Sequence, residues 1–291
     1  MPGDITARLA AGDILIGDGA TGTMLQKAGI PPGMPSEAWV LERPEEIIKL
    51  HRSYIKAGTN VILTCTFGGT RLRLEAARLG ERVAEVNHRA AELAREAAGE
   101  DVWVAGDLGP TGEMMKPIGS LTREDAMRFF AEQAKALTEV GVDLIYIETM
   151  SDLNEAKAAV EGARQVCDLP VFVTMSFDTH GHTSMGTKPA DAARELAALG
   201  VDALGANCGQ APAEMVDFMA AMREAAPGIP LIAKPNAGVP RMVQRQVVYD
   251  ATPEQMAALA PRFVENGARL VGACCGSTPD HIRAMAEAVR A

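Results

Sequence analysis

Short apolar and β-branched runs alternate with longer helical stretches along the whole chain. The runs begin near Ile14, Asn60, Val102, Asp143, Pro170, Ala203, Leu231 and Leu270. Each gives way to polar or glycine-rich residues and then to helical periodicity, as in Thr122 to Val140, where Ala126, Phe129, Phe130, Ala134 and Leu137 recur at helical spacing. Start signals precede several helices: Thr122 with Asp125, Thr252 with Pro253, and Ser277 before Pro279 and Asp280. Stop signals follow, with a glycine between helix and next strand at Gly58, Gly141, Gly200 and Gly267. Glycine accepts the left-handed conformation that ends a helix. Helical crossovers make consecutive strands parallel, and unbroken apolar runs such as Leu144 to Ile147 suit strands covered on both faces.

Eight such units with no linker, composition shift or low-complexity tract predict an α/β fold: a single (β/α)8 TIM barrel over residues 1–291, with its site at the C-terminal ends of the strands. The segments Gln26 to Arg43, Thr111 to Leu121, Thr179 to Lys188 and Val239 to Ala251 read as loops without helix or strand, all of them after strand ends. Long loops on one face predict a lidded pocket.

Composition narrows the function. The 291 residues are 47% apolar and 23% charged, so the chain buries a large core. A chain of this length should fold to roughly 12,000 Å² of surface from roughly 44,000 Å² unfolded, without disulfides or metals as staples. Any metal is then expected to be functional. With 28 basic and 38 acidic residues the net charge is −10 and there is no basic stripe. That argues against nucleic acid and anionic membrane as partners. The start of the chain lacks a secretion signal and no run suits a membrane span, so the expected location is cytoplasmic. Five cysteines in a large leaderless chain are expected to be reduced.

The ends of the eight runs carry Asp18, Cys65, Asp107, Glu148, Asp178, Cys208, Asn236 and the pair Cys274 and Cys275. In a barrel, strands of equal parity present their ends at one height. Cys208 of the sixth run can therefore meet Cys274 and Cys275 of the eighth. Adjacent strand residues point to opposite faces, but Gly272 and Gly276 bracket the pair and let the backbone turn. Three thiolates suit zinc and leave a fourth position open. A zinc so rich in sulfur is better suited to holding another thiolate than to activating water, and coordination strips a thiol of its proton. Alkyl transfer to sulfur is the chemistry expected.

Around that trio, Asp18 and the turn that follows it are candidate substrate contacts, with the amides of Gly19, Ala20 and Thr21 able to hold a substrate carboxylate. Glu148 can pair with an ammonium, or form a structural salt bridge. Asn207 and Asn236 can bond substrate or thiolate, or serve the backbone. Asn236 is also a candidate for the vacant zinc position when no substrate is bound. Asp107 and Asp178 are candidates for loop ordering, with capping the expected role of both, and Met114 and Met115 are candidates for a donor or lid surface. Cys65 and Cys167 read as small hydrophobes. His180 and His182 are set aside as a metal pair because the T-H-G-H-T turn offers no further ligand.

The motifs G-D-G-A-T-G-T from Gly17, I-E-T-M-S-D from Ile147, A-N-C-G from Ala206, K-P-N-A-G from Lys234 and G-A-C-C-G-S-T-P-D-H-I from Gly272 together resemble the homocysteine S-methyltransferases. The likeness covers the whole chain. It is strongest to the homocysteine-binding module of cobalamin-dependent methionine synthase. It implies a (β/α)8 barrel with zinc on Cys208, Cys274 and Cys275. The implied activity is methylation of homocysteine to methionine. Such a synthase continues into further domains, whereas this chain stops at Ala291, so the expected donor is methylcobalamin on a separate corrinoid protein. The alternatives are betaine or S-methylmethionine as donor, a non-catalytic zinc and homocysteine-binding subunit, or an aldolase-type barrel using Lys234 as Schiff-base lysine.

Overall fold

A computed structural model describes residues 3–178, 180–209, 211–243 and 246–290. Eight parallel strands form one sheet: β1 (Leu15–Ile16), β2 (Val61–Leu63), β3 (Trp103–Leu108), β4 (Leu144–Met150), β5 (Val171–Met175), β6 (Ala203–Cys208), β7 (Leu231–Pro235) and, after a hairpin of β8 (Arg241–Val243) and β9 (Gln246–Val248), β10 (Ala268–Val271). Their order is β1-β10-β7-β6-β5-β4-β3-β2. A parallel bridge between Gly17 and Val61 joins the two ends, supported by Asn60 N–H donating to the Ile16 carbonyl at 2.7 Å and Asp18 N–H to that of Val61 at 3.1 Å. The sheet closes into the expected barrel, and its accessible surface of 12306 Å² agrees with the size scaling.

The strands begin within a residue of the expected positions, except β10, which starts at Ala268 because Arg269 interrupts the apolar pattern without ending the strand. Gly58, Gly141, Gly200 and Gly267 all have left-handed φ, between 70° and 102°, as a helix stop demands. Thr122 caps its helix through Asp125 N–H, and Thr252 forms a full capping box with Gln255. Alternation along the strands fills the barrel with Leu15, Val61, Leu63, Tyr146, Phe172 and Ile232, among others. Ile5 and Leu9 of the helix Ile5–Ala10 join this inner cluster and plug it. Above the apolar layers the same alternation brings Asp107, Glu148, Asn207 and Lys234 to the mouth.

Three expectations need correction. The stretch Gln26 to Arg43 contains the end of one helix, Gly22–Ala28, and the whole of another, Ser36–Glu42, which buries Ala38, Trp39 and Val40. Two turns are too short to show a period in sequence. Val239 to Ala251 holds the β8–β9 hairpin. Ser277 does not cap the last helix: Thr278 N–H donates to His281 Nδ1 there, and Ser277 is used elsewhere.

Candidate metal and substrate site

Cys208, Cys274 and Cys275 meet at the mouth, every sulfur within 4.8 Å of the others. Cys208 ends β6 with φ at 58°, which swings its side chain out of the strand alternation. Cys274 is anchored by its N–H to the Pro235 carbonyl at 2.7 Å, and Gly276 turns the chain with φ at 80°. Both sulfurs of the adjacent pair therefore face the mouth, through the glycine the sequence pointed to and a strained Cys208 that it did not. No disulfide joins them, and all five cysteines are free.

Charge explains the state of the trio. Hydrogen bonds from Cys208 and Cys274, and a further one from Tyr249, hold the Cys275 thiol down at about 3. Bonding to Cys208 and Cys275, with burial, pushes Cys274 well above the ordinary thiol range. Contact with Cys274 pulls Cys208 down, but bonding to Cys275 and burial outweigh it. One thiolate is thus served by the protons of its neighbours, a role a divalent cation takes over for all three. The donor set fits zinc: a tetrahedral ion with bonds of about 2.3 Å spaces its sulfurs about 3.8 Å apart, between the 2.8 Å that separates Cys208 Sγ from Cys274 Sγ and the 4.8 Å that bounds the trio. A buried Asn236 Oδ1 has no partner among the described residues, while its Nδ2 donates to the Gly209 carbonyl at 2.7 Å. An unpaired amide oxygen beside a thiol cluster suits a cation as well.

The turn after β1 lies against the cysteine loop. Ser277 Oγ accepts from Ala20 N–H at 3.0 Å and donates to the Cys274 carbonyl at 2.8 Å, while Gly276 N–H donates to Thr23 Oγ1 at 3.1 Å. Tyr54 Oη donates to the Ala20 carbonyl at 2.7 Å. A Cβ at Gly19 would lie 2.5 Å from Ser277 Oγ and 2.8 Å from Tyr54, so this approach requires glycine. The expectation that the Ala20 amide faces substrate is therefore corrected: Ser277 takes it. Asp18 is also turned away from substrate, since its carboxylate accepts from Lys234 Nζ at 2.8 Å and from Leu63 N–H at 2.8 Å, buried among β1, β2 and β7.

Glu148 stands at the mouth, half-buried, beside Asn207. Burial pushes its carboxyl up to about 7, with Lys234 opposing and Asp18 and Cys275 adding to the shift. Asn207 is a strut: Oδ1 accepts from Thr149 N–H and Thr174 Oγ1, both at 2.8 Å, and Nδ2 donates to Thr149 Oγ1 at 2.6 Å, with Glu148 at 3.5 Å and Cys274 Sγ at 3.8 Å. Asp107 is no cap. It is the penultimate residue of β3, inside the barrel, with Oδ1 unpaired among the described residues, and burial followed by the nearby Glu148 raises it strongly. Thr179, beside Asp178 and His180, lies outside the described residues.

Sequence reasoning missed Ser277, Tyr54, Thr149 and Tyr249, which act through partners far along the chain. It also paired Met114 and Met115 as lining residues, whereas Met115 is buried at 7% and Met114 is 53% exposed. Among the described residues every exposed large apolar side chain lies on the loops after β3, β5 and β7, including Met114, Ile118, Met185, Met242, Val243 and Val247. No helix among them is long and apolar enough to cross a membrane.

Against known proteins, the sequence model of the family described as Homocysteine S-methyltransferase matches residues 15–289. Methionine synthase from Mycobacterium leprae (strain TN) is 33% identical over 294 aligned positions, covering 95% of this chain and 24% of that protein, and methionine synthase from Mycobacterium tuberculosis (strain ATCC 25618 / H37Rv) gives the same figures. The chain thus spans about a quarter of the length of these curated relatives. Among solved structures, the metallated form of homocysteine methyltransferase MmuM from Escherichia coli superposes with a TM-score of 0.83 at 27% identity, covering 99% of this chain and 100% of that one.

Proposed function

The chain belongs to the homocysteine S-methyltransferase family, and on that premise we propose that it methylates the sulfur of homocysteine to give methionine, using zinc and a methyl group delivered by a separate methylated corrinoid protein. The observation that carries this reading is the convergence of three sulfurs within 4.8 Å at the barrel mouth, next to a carboxylate. Cys208, Cys274 and Cys275 would hold the zinc. When bound, it supplies the positive charge that ionises and retains an incoming thiol.

The chain's own residues do the rest by placement. Glu148 pairs with the substrate ammonium, and Lys234 behind it favours the ionised carboxylate. With Ala20 committed to Ser277, the carboxylate falls to the amides of Gly19 and Thr21. Asn207 fixes Glu148 relative to Cys274, so the two ends of the substrate are held from one strut. The substrate sulfur forms its bond to the methyl carbon as the bond from that carbon to the donor breaks, and the donor keeps the electron pair. No side-chain base is needed for a thiol already ionised, and the barrier falls through positioning.

The exposed apolar rim supports a macromolecular donor, since patches of this kind mark protein contact surfaces. Zinc-loaded protein and homocysteine should yield methionine with a methylated corrinoid protein. Turnover with betaine or S-methylmethionine alone would assign a small-molecule donor. Zinc and homocysteine binding without methionine from any donor would reduce the chain to a carrier subunit.

A further inference from the structure

The fourth strand carries one residue too many at its C-terminal end. Ile147 pairs with Val173 and Met150 with Met175, so three steps along β4 answer two along β5. An extra residue in one strand is a β-bulge, which bends the strand and re-aims a side chain. Packing shows the effect. Tyr146 fills the barrel and Ile145 and Ile147 pack in the core shared with the helices, yet Met150 joins the two isoleucines. Regular alternation would have sent it inward after Tyr146 and Glu148. Within the bulge Thr149 has φ of 60°, a left-handed conformation that costs a β-branched residue energy and persists only where its surroundings impose it. Asn207 imposes it. Thr149 N–H donates to Asn207 Oδ1 at 2.8 Å, and Asn207 Nδ2 donates to Thr149 Oγ1 at 2.6 Å. A backbone N–H can only donate, which fixes the orientation of the amide. Thr174 Oγ1 of β5 donates to the same Oδ1 at 2.8 Å, and Nδ2 lies 3.5 Å from Glu148 Oε2. One amide therefore holds the bulge and lies against the carboxylate that the bulge carries.

We propose that Thr149 is a specificity-determining positioning residue: its left-handed bulge, locked by two hydrogen bonds with Asn207, aims the Glu148 carboxylate at the substrate ammonium. The preference for an amino-acid thiol over the same thiol without its amino group then depends on the Thr149 hydroxyl. This rests on the reading of Glu148 as the partner of that ammonium. A glutamate on an unbulged strand would keep the freedom of its own rotamers and of the strand end. Here the residue after it is tied by backbone and side chain to β6, across the β5 that lies between them. Asn207 itself is fixed from β5 by Thr174, and directly precedes Cys208, the other non-glycine strand residue with positive φ among those described. The ammonium end and the sulfur end of the site are thus set from adjacent residues of one strand, each through a strained backbone, as expected where geometry is held for function.

The test measures binding of two thiols, homocysteine and 4-mercaptobutanoate, to the zinc-loaded full chain by calorimetry. The second is homocysteine without its amino group. Thr149→Val keeps the shape and removes only the hydroxyl, and Thr149→Ser keeps the hydroxyl. For Thr149→Val the expected result is homocysteine binding weakened about tenfold, with 4-mercaptobutanoate within twofold of wild type. Thr149→Ser should recover most of the loss. If Thr149→Val does not fold, Thr149→Gly, which accepts a φ of 60° without strain, carries the same expectation for both ligands. Homocysteine binding within twofold of wild type in the hydroxyl-free variant, or an equal loss for both thiols, would overturn this inference alone. A wild-type chain that binds the two thiols equally would overturn the ammonium role of Glu148 and this inference with it. A wild-type chain that binds neither would overturn the homocysteine reading as a whole.

Discussion

Replacing Lys234 by methionine tests the electrostatic floor of the site. Lys234 Nζ lies 2.8 Å from Asp18 Oδ1, and the two side chains are 3% and 4% exposed. Breaking such a pair from one side leaves an unpaired buried charge and costs about 3–5 kcal/mol. The loss should act at the barrel seam, because Asp18 also receives Leu63 N–H and β1 is only two residues long. Asp18→Asn should cost less, since Lys234 keeps the attraction of Glu148 and the Tyr146 ring, 5.4 Å from its ammonium. Urea unfolding of the two single variants and the double variant closes a thermodynamic cycle, and the double variant should be more stable than Lys234→Met alone. A loss below about 1 kcal/mol for Lys234→Met, or strict additivity in the cycle, would refute the assignment of this pair as a coupled buried unit.

Cys208→Ala removes one of three ligands, and retained zinc should fall from about one per chain to near none after dialysis against a chelator, as read by elemental analysis. Ser277→Ala strips the Ala20 amide of its acceptor; the expected loss is about 1–3 kcal/mol in urea unfolding, with homocysteine binding weakened in calorimetry because the turn after β1 loosens from the cysteine loop. His51 is buried on the helix Pro44–Lys56, and burial lowers its imidazole to about 4 from 6.5. The unfolded chain binds the proton that the folded one refuses, so this stability is present above pH 6.5 and is lost as pH falls toward 4, by up to about 3 kcal/mol. His51→Leu should flatten that part of the stability profile, and a profile as steep as wild type would exclude His51 as its source.

What the sequence made legible was whatever depends on local pattern plus one global rule. Strand starts followed from apolar runs, helix ends from the glycines at 58, 141, 200 and 267, and the cysteine trio from strand parity in a closed barrel. What stayed hidden depends on side chains meeting across the barrel. Asp18 and Lys234 are 216 positions apart, and Ala20 and Ser277 are 257 apart. No periodicity marks either pair, so Asp18 was read as a substrate contact and Ser277 as a helix cap. Both readings assigned a polar group to its nearest use in sequence, when burial had already committed it to a distant one.

The same limit explains the rim, and gives it meaning. Met114 and Met115 are neighbours with one composition and opposite fates, one 53% and the other 7% exposed, and nothing in a loop sequence separates them. Only the fold shows that the exposed apolar side chains collect on the loops after β3, β5 and β7, at the strand ends where the cysteines lie. The opposite end of the barrel interior is plugged by Ile5 and Leu9 and spends its apolar groups on itself. Exposed apolar side chains gathered at one face are what a contact surface or binding groove presents, and the proposed protein donor is one occupant that would cover them. A protein donor brings the cover with it, and the apolar hairpin of β8 and β9, beside the ligand loop, is where that cover would first make contact.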